Sequence, residues 1–84
     1  METKIENCKI DAGCGRSAAV KVIGNSVAIT FSNDKEGMCP VKLSKHPELI
    51  GNVLEKLEKA YNCRPACLLY QAEDMVMYRF ERIH

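Results

Sequence analysis

The chain has 84 residues, enough for one domain, and its 46% hydrophobic and 27% charged residues exclude wholesale disorder. It has 12 basic and 11 acidic residues, for a net charge of +1. Nucleic-acid binders concentrate lysine and arginine to neutralise phosphates, so no nucleic-acid partner is expected. The charged amino terminus lacks the apolar core of a signal peptide, and no apolar run is long enough to span a membrane. We therefore expect a cytoplasmic protein with no membrane partner.

The first clear unit is a hairpin over residues 18–31, where β-branched residues flank a Gly-Asn-Ser turn signal. A two-residue turn at Gly24 and Asn25 gathers the apolar side chains on one face, and glycine at the first position suits a type II′ turn. The expected pairs are Val22 with Val27, Val20 with Ile29 and Ala18 with Phe31. Before the hairpin, we expect residues 1–17 to be flexible or to contain a weak strand over residues 4–10.

A polar loop over residues 32–37 and a short extended segment over residues 38–43 lead to a predicted helix over residues 47–61. Proline is tolerated in the first helical turn at Pro47, and Asn62 can adopt the left-handed conformation that ends a helix. The apolar positions recur at helical spacing on one face: Leu49, Ile50, Val53, Leu54, Leu57, Ala60 and Tyr61.

A second hairpin is predicted over residues 66–83, with residues 72–74 as a three-residue turn. The expected pairs are Gln71 with Met75, Tyr70 with Val76, Leu68 with Tyr78 and Ala66 with Phe80. This register gathers on one face Leu68, Tyr70, Val76, Tyr78 and Phe80.

The order hairpin, helix, hairpin predicts a single α+β domain, in which an antiparallel sheet of four or five strands carries one helix across one face. The helix is expected to cover a core made of Val20, Val22, Ile29, Phe31, Leu68, Tyr70 and Tyr78.

Five cysteines raise the question of a metal site, because a reducing cytosol keeps thiols free or metal-bound. Cys63 and Cys67 have a spacing that suits half of a zinc site. The full alternative ligand set is Cys14, Cys39, Cys63 and Cys67, with His46 and His84 as substitutes. The simpler interpretation, which we favour, is that Cys63 ends the helix and Cys67 packs at the start of a strand.

Two other cysteine chemistries find less support in the sequence. A thioredoxin-type pair needs C-x-x-C at a helix start, whereas Cys63 and Cys67 follow a helix, where the dipole opposes a thiolate. Cys14, in the stretch AGCGRS, would be a nucleophile only with a base within reach, and the candidates are His46 and His84. We favour a flexible turn here, and expect no catalysis and no cofactor.

The second hairpin is apolar on both faces, and this is the main functional signal in the sequence. One helix can bury only one face of a small sheet, so the other face is left as an apolar patch of the kind that binds partners. Methionine suits such a surface because it adapts to a partner. Residues 1–17 or 32–46 could instead fold over this face. The expected contact centre and rim are Leu69, Met75, Met77 and Arg79.

We therefore predict a small non-catalytic protein-binding module, an adaptor or inhibitor of a macromolecular partner, that also forms a homodimer. Short proteins of phages and mobile elements share this profile, although size alone does not argue for that origin. The alternative prediction is a structural metal- or cluster-binding domain that uses the cysteines to hold zinc.

Overall fold

The computed structural model describes residues 5–13, 15–33 and 42–82. Within them the sheet has five antiparallel strands in the order β1-β2-β3-β5-β4, and one helix accompanies it. The protein is therefore a small α+β fold, as predicted. The elements in chain order are β1 (Cys8–Gly13), β2 (Arg16–Ile23), β3 (Ser26–Asn33), α1 (Glu48–Tyr61), β4 (Cys63–Gln71) and β5 (Met75–Arg82).

The first hairpin has the register that the sequence predicts. Val22 lies opposite Val27, and the other two predicted pairs are also confirmed. Gly24 has a φ of 60°, and Asn25 is not among the residues with positive φ, as a type II′ turn requires. Because side chains alternate between the two faces of a strand, this register places every second side chain of both strands on one face, where the core forms.

The amino-terminal strand is real, but it lies further along the chain than residues 4–10. β1 pairs with β2 from Cys8 opposite Val20 to Gly13 opposite Arg16, with a bulge near its end. Gly13 has a φ of 91°, which an L-residue rarely adopts, so the bulge depends on glycine. This strand makes the sheet five-stranded and forms one of its two edges.

The helix agrees with the prediction to within one residue. Leu49, Val53 and Leu57 are fully buried, at the spacing of one helical face. Asn62 has φ 51° and ψ 51°, the left-handed conformation that was expected to end the helix. β4 begins at the next residue, Cys63, rather than at residue 66.

The core lies between the helix and the central strands. Of the predicted core, Val20, Ile29 and Phe31 are buried, while Val22 and Tyr78 are partly buried and pack against it. The extended segment predicted over residues 38–43 falls mostly outside the described residues, and its last residue lies in a turn. The buried cluster is Ala12, Ala18, Val20, Val27, Ile29, Phe31, Leu43, Leu49, Val53, Leu57 and Val76.

The second hairpin departs from the predicted register. Gln71 lies opposite Val76 and Tyr70 opposite Met77, so two predicted pairs are wrong, whereas Leu68 does lie opposite Tyr78. Residues 72–74 do connect the two strands, but the Ala72 N–H donates to the Met75 carbonyl at 2.8 Å, so the ladder closes at Ala72 and Met75 instead of at Gln71 and Met75.

Two bulges on β4 explain the other differences from the predicted register. Ala66 and Leu69 are extra residues on β4, so Pro65, and not Ala66, lies opposite Phe80. Each extra residue reverses the face on which the following side chains lie, because side chains alternate along a strand.

The predicted assignment of Leu68 and Tyr70 to the core is therefore wrong. Leu68 is 46% exposed and Tyr70 is 55% exposed. Tyr70 lies on the face away from the helix, as the partner of Met77, whose other neighbour in the sheet is Ala28. Leu68 is on the helix side, but it sits on an edge strand that the helix covers only near its start.

The turn of the second hairpin is tied to the rest of the molecule through the backbone. The Asp74 carbonyl accepts the Phe31 N–H at 2.7 Å, and the Glu73 carbonyl accepts the Leu43 N–H at 2.7 Å. These bonds anchor one end of the hairpin, so the exposed part of β4 is held in place by β5 and by its own turn.

Candidate protein-interaction surface

Three consecutive exposed apolar residues mark the middle of β4. Leu68, Leu69 and Tyr70 are 46%, 48% and 55% exposed, and we call them the β4 edge patch. Among the described strands β4 pairs only with β5, so the opposite side of its backbone has no strand partner. An exposed apolar edge strand is a template for pairing with another chain.

The patch is continuous because of the second bulge. Leu68 faces the helix side opposite Tyr78, Tyr70 faces the other side opposite Met77, and Leu69 is the unpaired residue between them. A regular strand would have placed Leu68 and Tyr70 on the same face. The bulge instead spreads apolar surface over both faces and the edge.

The helix leaves this part of β4 uncovered. Cys63, at the start of the strand, is buried, and its thiol donates to the Leu57 carbonyl at an Sγ–O distance of 3.7 Å. From residue 66 onward every residue of β4 is exposed. The buried contact with the helix is thus at the start of β4, and the rest of the strand is exposed.

The residues predicted as contact centre and rim lie beside the patch. Leu69 belongs to it, and Met77 is the half-buried neighbour of Tyr70. Met75 is also half-buried, opposite Thr30 of β3, and Arg79 is exposed. The structure thus brings all four onto or next to the second hairpin's outer surface.

Sequence reasoning missed Leu68 and Tyr70, which it placed in the core. One signal was available: Pro65 lacks an N–H and is confined to edge strands or bulges, so it marked β4 as an edge. The bulges themselves have no signal in the residue types, because Ala66 and Leu69 suit a regular strand as well.

The alternative that flanking segments cover the helix-free face is not supported by their described parts. Ile5, Cys8 and Ile10 pack against the core on the helix side, and Leu43 is part of that core. Residues 1–4, 14 and 34–41 lie outside the described residues, so their part of this alternative stays a prediction.

At the other edge of the sheet, side chains of the helix contact the backbone of β1. Lys56 Nζ donates to the Asp11 carbonyl at 2.6 Å, and Asn52 Nδ2 donates to the Ala12 carbonyl at 3.2 Å. β1 has six residues and exposes Lys9 and Asp11. A short, charged and contacted strand is how proteins protect a sheet edge from further pairing.

Two of the four cysteines in the zinc hypothesis are placed by the structure, and they lie on opposite faces. Cys67 lies opposite Arg79, whereas Cys63 shares the face of Pro65 and Phe80, because the bulge at Ala66 intervenes. No group of three or more metal-ligating side chains occurs within residues 5–13, 15–33 and 42–82. Cys14, Cys39 and His84 lie outside those ranges, so the zinc site stays a prediction that elemental analysis of protein purified without a metal-affinity tag would test.

The thiol of Cys63 is expected to react slowly. Burial, and next the negative charge of Glu58, raise the pKa of Cys63 above its ordinary value. A raised pKa disfavours the thiolate, which is both the nucleophile and the metal ligand. Cys67 is exposed, and its Sγ lies 3.6 Å from the carbonyl oxygen of Leu68.

His46, one of the two bases considered for Cys14, already has a partner. Its Nε2 lies 3.3 Å from Nη2 of Arg16, and its Nδ1 lies 3.7 Å from Oε1 of Glu48. In the contact with Arg16 the guanidinium donates and Nε2 accepts. Cys14 is outside the described residues, and the nucleophile hypothesis stays untested.

An open cavity of about 310 Å³ lies on the helix side, near the carboxyl end of the helix. Its apolar walls include Val22, Tyr61 and Phe80. Glu81, at its margin, pairs with Arg64 at 2.8 Å, so the charged group nearest the cavity is already engaged. The wall residues suit an apolar group without specifying one.

Comparison with known proteins found no matching protein family, no similar curated protein and no similar solved structure. Within the described residues no helix has the length and apolar character needed to cross a membrane. What the surface of the second hairpin can do is therefore argued from its own chemistry.

Proposed function

We propose that this chain is a non-catalytic protein-binding module that acts as an adaptor or inhibitor of a macromolecular partner through the β4 edge patch. The observation that supports this is the run of Leu68, Leu69 and Tyr70, about half exposed each, on an edge strand. Met77 and Arg79 border the patch and supply adaptable and charged contacts at its margin.

A partner strand would gain from both the backbone and the side chains of β4. Strand addition to a sheet edge uses main-chain hydrogen bonds for affinity, while side chains on alternate faces provide specificity. Burying apolar surface contributes roughly 25 cal/mol per Å², and tyrosine is enriched at the centres of interfaces. Tyr70 and the two leucines are thus suited to be the contact centre.

The side chains at this surface favour contact over chemistry. Leu68, Leu69 and Tyr70 are apolar or amphipathic, and the acidic group next to the strand, Glu81, is held by Arg64. Cys67 is the one reactive side chain beside the patch, within the described residues. A surface of this composition suits recognition of another polypeptide.

Site-specific photo-cross-linking tests the proposal. A photo-reactive amino acid replaces Leu69 in the full chain, expressed in cells of its own source, and a matched variant carries it at Ile23, which is 52% exposed on β2. We expect a defined protein adduct, identified by mass spectrometry, from position 69 and not from position 23. The absence of any adduct at 69, or equal adducts at both positions, would contradict the proposed function.

A further inference from the structure

We propose that a second copy of this chain also binds the β4 edge patch, by antiparallel pairing of the two β4 strands, so that self-pairing and the macromolecular partner compete for the same edge. This inference rests on the proposed function and names a second copy as an occupant of its site. The juxtaposition that supports it is an uncovered apolar edge at β4 and a guarded edge at β1 in the same sheet.

The difference between the edges decides how copies can associate. Pairing of β4 with β1 of the next copy would be head-to-tail and would propagate without closing. Lys56 and Asn52 contact the backbone of β1, and Lys9 and Asp11 are exposed along it, so that edge resists a strand. Pairing of β4 with itself uses the same surface twice and closes as a two-fold dimer.

The charges along β4 favour the antiparallel arrangement. Arg64 lies near the start of the strand, where it also pairs with Glu81 of β5 at 2.8 Å, while Glu73 and Asp74 lie in the turn just after the end of the strand. An antiparallel copy places Arg64 of each strand beside the acidic turn of the other. A parallel copy would place like charges together at both ends, which is unfavourable. The segment between Cys67 and Gln71 is uncharged.

The backbone limits where the two-fold axis can lie. Pro65 has no N–H to donate, so the shared ladder lies in the later part of the strand, over residues 66–71. Its centre is then at Leu68 and Leu69. A two-fold axis normal to the sheet keeps both helices on one side, with Leu68 of each copy on that side and Tyr70 of each copy on the other.

The oligomeric state of the purified full chain tests this inference. Sedimentation equilibrium is expected to show a monomer–dimer equilibrium for the wild type. Leu69→Lys introduces two charges at the centre of the dimer and should raise the dissociation constant at least about tenfold. Ile23→Lys makes the same change at a residue of similar exposure on β2 and should leave the equilibrium unchanged. A wild type that stays monomeric at about 1 mM, or equal effects of the two variants, would overturn the inference.

A second measurement covers the case in which Leu69→Lys fails to fold, as judged by circular dichroism. In a Cys67→Ser background, Leu69→Cys places one thiol near the expected axis. Mild oxidation should then give a covalent dimer, whereas Ile23→Cys in the same background should not. Lack of a covalent dimer from position 69, with the protein folded, would overturn the antiparallel arrangement.

Failure of this inference and failure of the proposed function are separable. A monomeric wild type whose position 69 cross-links to a different protein would refute self-pairing and keep the binding function. A protein that neither dimerises nor cross-links through position 69 would refute both.

Discussion

The two hairpins are similar in length and in apolar content, yet both strands of the first contribute to the core while most of β4 in the second is exposed. Val20 and Ile29 of the first hairpin are buried, whereas Leu68 and Tyr70 of the second are about half exposed. β2 and β3 have a strand on each side, while β4 has one neighbour among the described strands and is exposed from residue 66 onward. Position in the sheet, more than residue type, therefore separates core from surface here.

The two hairpins also differ in the regularity of their strand pairing. The first hairpin keeps one register over its whole length through a type II′ turn. The second carries two bulges on its edge strand, where none of the described strands lies on the outer side to enforce the ladder. An edge strand can take up extra residues cheaply, and the cost of exposing apolar side chains is offset if a partner covers them.

The largest expected change in stability distinguishes a leucine buried under the helix from a leucine on the edge strand. Leu57→Ala should lower the free energy of unfolding by about 2–5 kcal/mol, because a fully buried leucine leaves a cavity. Leu69→Ala should change it by no more than about 0.5 kcal/mol at a concentration where the protein is monomeric. Urea denaturation of both variants measures the difference, and a comparable loss in both would mean that Leu69 is core.

The next largest change in stability is expected when the turns of the two hairpins are compared. Gly24→Ala should cost about 1–2 kcal/mol, because the φ of 60° disfavours an L-residue. No atom lies within 4 Å of the added methyl group, so backbone strain is the only cause. Glu73→Ala, in the turn of the second hairpin, is the matched control and should stay within about 0.5 kcal/mol, because its carbonyl is retained. Equal thermal shifts would show that the first turn does not depend on glycine.

The two ends of β4 can be compared through their thiols. Cys67 should alkylate at least about tenfold faster than Cys63 at neutral pH, because Cys63 is buried and its pKa is raised. Iodoacetamide labelling followed by peptide mass spectrometry gives both rates, and unfolded protein provides the reference in which the rates converge. Faster labelling of Cys63 would mean that the start of β4 is not covered by the helix.

The smallest effect is the dependence of stability on alkaline pH. The native pKa of Cys63 is raised above the ordinary value of 9.0, so above that pH the native state binds more protons than the unfolded state. The resulting stabilisation is complete below about pH 9 and is lost as pH rises through the native pKa. Cys63→Ala should flatten this slope.

A slope remains in that variant because the pKa of Tyr61 is also raised, by burial first and then by the charges of Cys8 and Glu6. Denaturation curves between about pH 8 and pH 11 measure both slopes. An identical pH dependence in the wild type and Cys63→Ala would contradict the shift at Cys63.

Much of the fold follows from local patterns that can be read from the chain. Alternation around Gly24 and Asn25 predicts the first hairpin pair by pair, and helical spacing with Asn62 predicts the helix and its end. The second hairpin is predicted as an element but not in register, because the residue types at Ala66 and Leu69 contain no mark of a bulge. The predicted contact residues Leu69 and Met77 lie in or beside the β4 edge patch, and their role stays a prediction, while Leu68 and Tyr70, predicted as core, are exposed.

The sequence by itself determined the order of the two hairpins and the helix, and the apolar face of the first hairpin and of the helix, because alternation, helical spacing and turn residues act within a few neighbours. The tertiary structure alone decided which strand became an edge and which apolar side chains the helix reached. A single helix can cover only part of a five-stranded sheet, and it contacts β4 at buried Cys63 while residues 66–71 stay exposed. Exposure of Leu68, Leu69 and Tyr70 is thus a property of the assembled sheet, since burial depends on neighbours distant in the chain.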